Sequence, residues 1–268
     1  MPARPRRSCL AVPASNAGMV AKAATLPADE VVVDLEDGVA VEHKEAARAN
    51  LSAARARGTF AVRINGLATK WWRDDLEAAL AAQADVVVVP KVDSAADVAA
   101  FADLLPEGVG LEVQIETARG LVEVERIAAA AGPLEALVFG PGDFAASLGV
   151  PVLTIGAGAS EYALARIAVA ARAHGLQAVD GPYAALHDDA ALRGSAERAL
   201  ALGYDGKWVI HPDQIATVNA VFTPSPDAVA RARSILAATD GASALEGEMV
   251  DAATKRLAES VLARASEL

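Results

Sequence analysis

Cysteine is almost absent: Cys9 stands alone in 268 residues, so no disulfide can form within the chain, which fits a reducing cytoplasm. A lone thiol of this kind reads first as a small buried hydrophobe. Aromatic residues make up only 4% of a chain that is 53% hydrophobic. Alanine, valine and leucine must therefore fill the interior, which suits close helix–strand layers. Positive charge is also scarce: 24 lysines and arginines face 35 acids, a net charge of −11. That balance argues against nucleic acid, whose binders carry a basic face. It leaves room for a small anion, since a few local cations suffice. No apolar stretch approaches the roughly 20 residues that span a bilayer. Arg4, Arg6 and Arg7 lack the apolar core of a signal peptide and read as a plain solvated start. The four histidines, His43, His174, His187 and His211, show no zinc spacing. There is no G-x-G-x-x-G after the first strand, no P-loop and no G-x-S-x-G, which lowers the case for a dehydrogenase, a kinase or a serine hydrolase.

Short β-rich runs alternate with longer alanine-rich helical ones. Strands are predicted at Cys9–Pro13, Val31–Leu35, Phe60–Ile64, Val86–Pro90, Gly110–Ile115, Ala136–Phe139, Ala178–Asp180 and Trp208–Ile210. Runs such as Val86-Val87-Val88-Val89 lack polar alternation, as strands do in a parallel sheet covered on both faces. Helices are predicted over His43–Arg57, over Ser160–His174 before Gly175, and from a Ser94 cap through Val98, Phe101, Ala102 and Leu105 to Pro106. This alternation and length predict an α/β fold, a (β/α)8 TIM-like barrel, with a doubly wound open sheet as the alternative. The domain plan is a catalytic barrel over 1–222 and a helical extension over 223–268. In the extension, helices at Asp227–Ala238 and Ala252–Ala265 are separated by Gly241–Gly247.

Function in a parallel barrel sits where the strands end. Those ends carry Asp34, Glu36 and Asp37, then Arg63 and Asn65, Lys91, Glu116, Asp143, Asp180 and His211. Crowded carboxylates repel unless a cation lies among them, and hard oxygen ligands favour Mg²⁺ or Mn²⁺. Glu116 and Asp143 are the candidate metal ligands; the alternative is that each acid caps the helix after it. Gly140-Pro141-Gly142 either admits a ligand carboxylate beside Asp143 or is an ordinary turn. Arg63 is the best anion clamp, because its planar fork matches a carboxylate, with a salt bridge to a neighbouring acid as the alternative. Trp71, Trp72 and Trp208 are expected to pack against the barrel.

The motifs Arg7–Pro13, Asp34–Ala40, Lys44–Arg48, Val62–Gly66, Pro90-Lys91, Ile115–Gly120, Phe139–Gly149, Asp180–Tyr183, Gly206–Pro212 and Gly247–Asp251 run in order through nearly the whole chain. Together they resemble the citrate lyase β-subunit-like family of the HpcH/HpaI aldolase superfamily. The wording is closest to its malyl-CoA and citramalyl-CoA lyase branch. The resemblance implies a carbon–carbon lyase: a modified TIM barrel, a homotrimer or homohexamer, that binds Mg²⁺ and takes coenzyme A as part of an acyl-CoA substrate. It implies Glu116 and Asp143 as metal ligands, Arg63 on the keto-acid product, and Lys22 on coenzyme A. Gly142, Ile210 and His211 fall where the ligand is lined. Asp251 matches an acid lent by a neighbouring subunit, with the role of base. Ala11 and Asn16 depart from the family's Phe and Arg near the adenine of coenzyme A. Gly156–Ser160 is short beside the insertion usual in malyl-CoA lyases. The competing functions are a citrate lyase β subunit acting on a citryl thioester of an acyl-carrier protein, and a barrel kept only for binding.

Overall fold

The structure, a computed structural model, describes residues 4–54, 57–130, 132–151, 155–156, 160–238, 243–245 and 248–266. Among these, eight strands hydrogen-bond in sequence order and close on themselves: β1 (Ser8–Pro13), β2 (Glu30–Asp34), β3 (Thr59–Arg63), β4 (Val86–Val89), β5 (Gly110–Ile115), β6 (Leu134–Phe139), β7 (Gln177–Asp180) and β8 (Gly206–Val209). All neighbouring pairs are parallel, and β8 returns to pair with β1. The (β/α)8 expectation holds, and the open sheet does not. Helices α1 (Ala17–Ala23), α2 (Lys44–Ala49), α3 (Trp72–Ala81), α4 (Ala95–Ala99), α5 (Ala118–Val122), α6 (Val124–Ala128), α7 (Pro141–Ser147), α8 (Glu161–Ala173), α9 (Asp189–Ala201) and α10 (Gln214–Phe222) occupy the connections.

Two helices are shorter than the sequence predicts. Ser94 does cap α4, accepting from the Asp97 amide. Beyond Ala99 the bonds tighten to i→i−3, as in Phe101 N to Val98 O, and the stripe continues as turns. Helix α2 gives way at Asn50, whose Nδ2 donates to Ala14 O at 2.8 Å, while Ser52 Oγ bonds back to Ala49 O. Side chains of this type compete with the helical ladder. Within the longer prediction, residues 55–56 lie outside the described residues. So do residues 157–159 of the Gly156–Ser160 stretch, and Gly241, Ala242, Glu246 and Gly247 in the predicted separator.

Strand side chains alternate between faces, and here one face fills the barrel in three layers. Cys9, Val32, Ala61, Val86, Val88, Ala136, Val138, Val179 and Trp208 form the apolar middle layer. On β5 the same face presents Glu112, Gln114 and Glu116 in succession. On β2 it presents Glu30, Val32 and Asp34. Below the apolar layer, Arg6 is buried against Glu30 at 3.2 Å and Glu112 at 2.5 Å, with Glu135 at 2.5 Å and a bond to Gln177. Arg6 is thus not the solvated residue its neighbours suggested. Buried carboxylates on two strands require a cation, and Arg6 supplies it. Arg7 turns to Asp29 and Arg4 to Glu135.

The chain divides into two compact units, the first ending at Asn219 and the second beginning at Ala220. In the second, α11 (Pro226–Ala237) packs on α12 (Ala252–Ser266). Between them β9 (Ser243–Leu245) and β10 (Glu248–Val250) pair antiparallel. No helix among the described residues is long and apolar enough to cross a membrane.

Candidate active site

Above the apolar layer, a cavity of about 320 Å³ opens at the C-terminal ends of the strands. Arg63, Glu116, Asp143, Asp34, Gln114 and Trp208 are among the residues that line it, with Ala11, Gly142 and Ile210. Adjacent register brings the key pairs together. Asp34 lies opposite Arg63 on β2 and β3, and Glu116 follows Ile115, which pairs with Phe139 just before Gly140.

Neither candidate ligand caps a helix. Thr117 caps α5, accepting from the Gly120 amide, and Gly140 stands at the cap of α7 without a side-chain bond. Asp143 sits in the first turn of α7, where a negative charge is favoured. The helix-cap alternative therefore fails for both acids. Glu116 is buried, and its Oε1 accepts the Lys91 amide at 2.9 Å. A Cβ on Gly140 would stand 2.1 Å from Glu116 Oε2, so only glycine leaves the carboxyl its seat. A Cβ on Gly142 would meet nothing closer than Ile155 at 3.4 Å. The close approach in Gly140-Pro141-Gly142 is thus made at the first glycine.

Burial pushes the Glu116 carboxyl up to about 7, against the pull of the Arg63 and Lys91 charges. Burial also raises Glu36, again against Arg63 and Lys91. Asp34 goes the other way: burial would raise it, but the charge and fork of Arg63 and the amides of Glu36 and Gly38 hold it below its ordinary value.

The fork of Arg63 is engaged. Its Nε and Nη2 each lie 2.7 Å from an Asp34 oxygen, and Nη1 reaches Gln114 at 3.2 Å and Glu36 at 3.0 Å. The guanidinium thus makes the salt bridge that was the alternative reading, and it brings positive charge to the cavity with its planar edge held by Asp34. Its Cζ stands 5.4 Å from the centre of the Trp208 ring. Trp208 therefore belongs both to the packed interior and to the cavity lining. Trp72 packs edge-on to Phe101 as expected, whereas Trp71 lies beneath the Lys44 ammonium and borders a second cavity.

Lys91 Nζ sits among four carboxylates: Glu36 at 2.5 Å, Asp143 at 3.0 Å, Asp37 at 3.5 Å and Glu116 at 4.0 Å. A resident ammonium at this point marks a seat for positive charge, and its donors are the hard oxygens that Mg²⁺ prefers. Among the described residues, no three histidines, cysteines or acids are placed to hold one metal ion between them. Mg²⁺ commonly takes one or two carboxylates and fills its shell with water and substrate oxygens, so the Glu116–Asp143 pair fits it.

Of the other predicted residues of the barrel, Asp180, His211 and Lys22 are not part of this lining. Asp180, counted with the rim acids, bonds to Lys207 Nζ at 2.5 Å and is not part of the cavity lining. Asp180 alternates with the inward Val179 as Lys207 does with the inward Trp208, so the two register partners meet on the outer face. His211 is outside the lining; its Nδ1 accepts the Asp213 amide at 3.3 Å. Lys22 is exposed on α1, also outside the lining. Asp251 caps α12: its Oδ1 accepts the Thr254 amide at 2.9 Å and the Thr254 hydroxyl at 3.0 Å. Those bonds hold its carboxyl below the usual aspartate value. Asn16 caps α1 by accepting from the Met19 amide at 3.0 Å. Gln114 was not singled out, because it lies inside a strand rather than at its end. Its two-residue spacing from Glu112 and Glu116 was the available signal.

Comparison with known proteins agrees with this architecture. The HpcH/HpaI aldolase/citrate lyase family profile matches residues 7–212. An L-malyl-CoA/beta-methylmalyl-CoA lyase from Cereibacter sphaeroides is 40% identical over 98% of this chain and 96% of its own length. That alignment runs over 304 residues against 268 here, so the relative carries segments this chain lacks. A (3S)-malyl-CoA thioesterase from the same organism is 38% identical over 99% of this chain and 96% of its own. The crystal structure of protein CitE from Mycobacterium tuberculosis, in complex with magnesium, acetoacetate and coenzyme A, superposes with a TM-score of 0.84 at 36% identity, covering 97% of each chain.

Proposed function

The chain belongs to the HpcH/HpaI aldolase/citrate lyase family, and we propose that it is a Mg²⁺-dependent carbon–carbon lyase. Its substrate is a short 2-hydroxyacyl-CoA such as malyl-CoA or citramalyl-CoA, and its products are a keto acid and an acyl-CoA. The observation that carries this is the Glu116–Asp143 pair beside Arg63 in one strand-end cavity. Its size, about 320 Å³, suits the hydroxy-acid end of such a substrate.

Glu116 and Asp143 hold the metal, with Gly140 keeping the Glu116 carboxyl in place. Mg²⁺, or Mn²⁺ in its stead, supplies Lewis-acid polarisation of the substrate's oxygens. Arg63, fixed by Asp34, keeps a positive charge beside the developing oxyanion, where a preorganised charge is worth several kcal/mol. Cleavage sends the C–C electron pair into a thioester enolate and turns the hydroxyl carbon into a carbonyl, the hydroxyl proton passing to water. Asp251 exchanges the proton at the thioester α-carbon. Its capping bonds engage Oδ1, and Oδ2 serves the transfer. Asp251 comes from a neighbouring subunit of a homotrimer or homohexamer, contributed by an extension that begins near residue 223. Gly142, Ile210 and His211 border the bound ligand, and Lys22 contacts coenzyme A.

Two relatives differ in the bond they break. Incubating the purified protein with Mg²⁺ and malyl-CoA, β-methylmalyl-CoA or citramalyl-CoA separates the outcomes. Release of a keto acid with an acyl-CoA supports the lyase. Release of the hydroxy acid with free coenzyme A shows a thioesterase instead. The citrate lyase β-subunit alternative draws on Asn16, whose side chain is committed to a helix cap, and on Ala11, which offers only a methyl group. Turnover of an acyl-carrier-protein thioester with none of the CoA esters would establish that alternative.

A further inference from the structure

Lys91 belongs to neither the ligand pair nor the arginine that the proposed reaction uses, yet its ammonium touches more rim carboxylates than any other described side chain. It follows β4 in a left-handed conformation, φ +53°, which lysine seldom adopts. The turn sends the side chain back across the strand ends. There Nζ lies 3.0 Å from Asp143 and 4.0 Å from Glu116, the two proposed ligands, and also 2.5 Å from Glu36 and 3.5 Å from Asp37 on the loop after β2. Lys91 does not line the cavity that holds Glu116 and Asp143. It lines a second cavity of about 600 Å³ with Glu36, Asp93 and Asp97, and Asp37 borders both. The ammonium therefore stands in the wall between two spaces, with acids on each side.

A divalent ion between Glu116 and Asp143 would lie within a few ångströms of this ammonium, and like charges so close repel strongly. We infer that Lys91 is a built-in counter-cation of the metal site: its ammonium bridges Asp143 and Glu36 when the ion is away and leaves Asp143 for Glu36 and Asp37 alone when the ion binds, so that it sets the affinity for the metal. This inference rests on Glu116 and Asp143 being the ligands. The second acid pair is what distinguishes Lys91 from an ordinary salt bridge. It gives the displaced charge a destination, so the carboxylates need not be left bare while the ion is absent. Without the ammonium, Glu116 and Asp143 would face Glu36 and Asp37 with only Arg63 between them. Lys91 is thus a positioning residue, acting through the ligands rather than on the substrate.

The test is Mn²⁺ binding by the full-length protein without substrate, followed by the electron paramagnetic resonance of the free ion. Lys91→Gly removes the ammonium but keeps the amide that donates to Glu116, and glycine takes the left-handed conformation freely. Lys91→Arg keeps the charge. The expected result is Mn²⁺ binding about tenfold tighter in Lys91→Gly than in the wild type, with Lys91→Arg no tighter than wild type. Equal or weaker binding by Lys91→Gly overturns the inference, since a merely structural lysine gives that result. Glu116→Gln separates the two levels. If Glu116→Gln abolishes binding while Lys91→Gly leaves it unchanged, only the role of Lys91 falls. If Glu116→Gln binds as the wild type does, the ligand assignment falls and takes the inference with it.

Discussion

Asp34 and Arg63 are register partners on β2 and β3, and both bonds of their fork measure 2.7 Å. The parallel ladder itself sets their side chains on one face, so the arginine is positioned before any ligand arrives. Breaking a buried pair by removing one member costs about 3–5 kcal/mol. Asp34→Ala is therefore expected to lower the melting temperature clearly. It should also cut kcat by about a hundredfold through misplacement of the guanidinium. Calorimetric melting together with steady-state kinetics checks both, and an unaltered kcat would show that the fork is only structural.

Glu116→Gln and Asp143→Asn each remove a charged ligand while keeping the shape of the side chain. Both are expected to abolish measurable Mg²⁺ binding in a calorimetric titration and to remove lyase turnover. Retention of full metal affinity in either variant would exclude that residue as a ligand.

The two glycines before Asp143 give opposite expectations. Gly140→Ala places a methyl group 2.1 Å from Glu116 Oε2 and must move that carboxyl. Gly142→Ala meets Ile155 at an ordinary 3.4 Å. Metal affinity should fall at least about tenfold in the first, the scale of misoriented ligand shells, and stay near wild type in the second. Similar affinities in the two variants would contradict the seat assigned to Glu116.

At the other end of the barrel, burial and the neighbouring Glu112 push the Glu30 carboxyl well above its ordinary 4.5, against the pull of Arg6. The folded protein therefore holds this proton where the unfolded chain has lost it. The resulting stabilisation is complete below pH 4.5 and is lost as the pH rises through the folded-state value. Glu30→Gln abolishes that dependence, so the stability of the wild type should fall relative to the variant as pH increases above 4.5. Urea titrations across that range measure it, and parallel curves would refute it. Arg6→Met, which removes the buried cation beside Glu112, should cost about 3–5 kcal/mol in the same titrations.

The eight-strand barrel was legible in the chain because continuous valine runs and capped alanine-rich segments are local patterns. Val86–Val89 and the Ser94 cap appear where they were expected. Glu116, Asp143 and Arg63 were legible for the same reason: strand ends can be read from strand positions, and in this architecture strand ends converge. The ordered motif series by itself carries the family resemblance. What the sequence could not determine was which partner each charge would find. Arg6 looked solvated and proved to be buried among Glu30, Glu112 and Glu135. Asp180 looked like a rim acid and belongs to Lys207. The fork of Arg63 suited a ligand or a neighbouring acid and is held by Asp34, and Lys91 stands between two acid pairs. Pairings of this kind depend on distances between strands far apart in the chain. Coulomb energy changes severalfold over a few ångströms in a poorly screened interior, so only the closed barrel, which sets those distances, decided them.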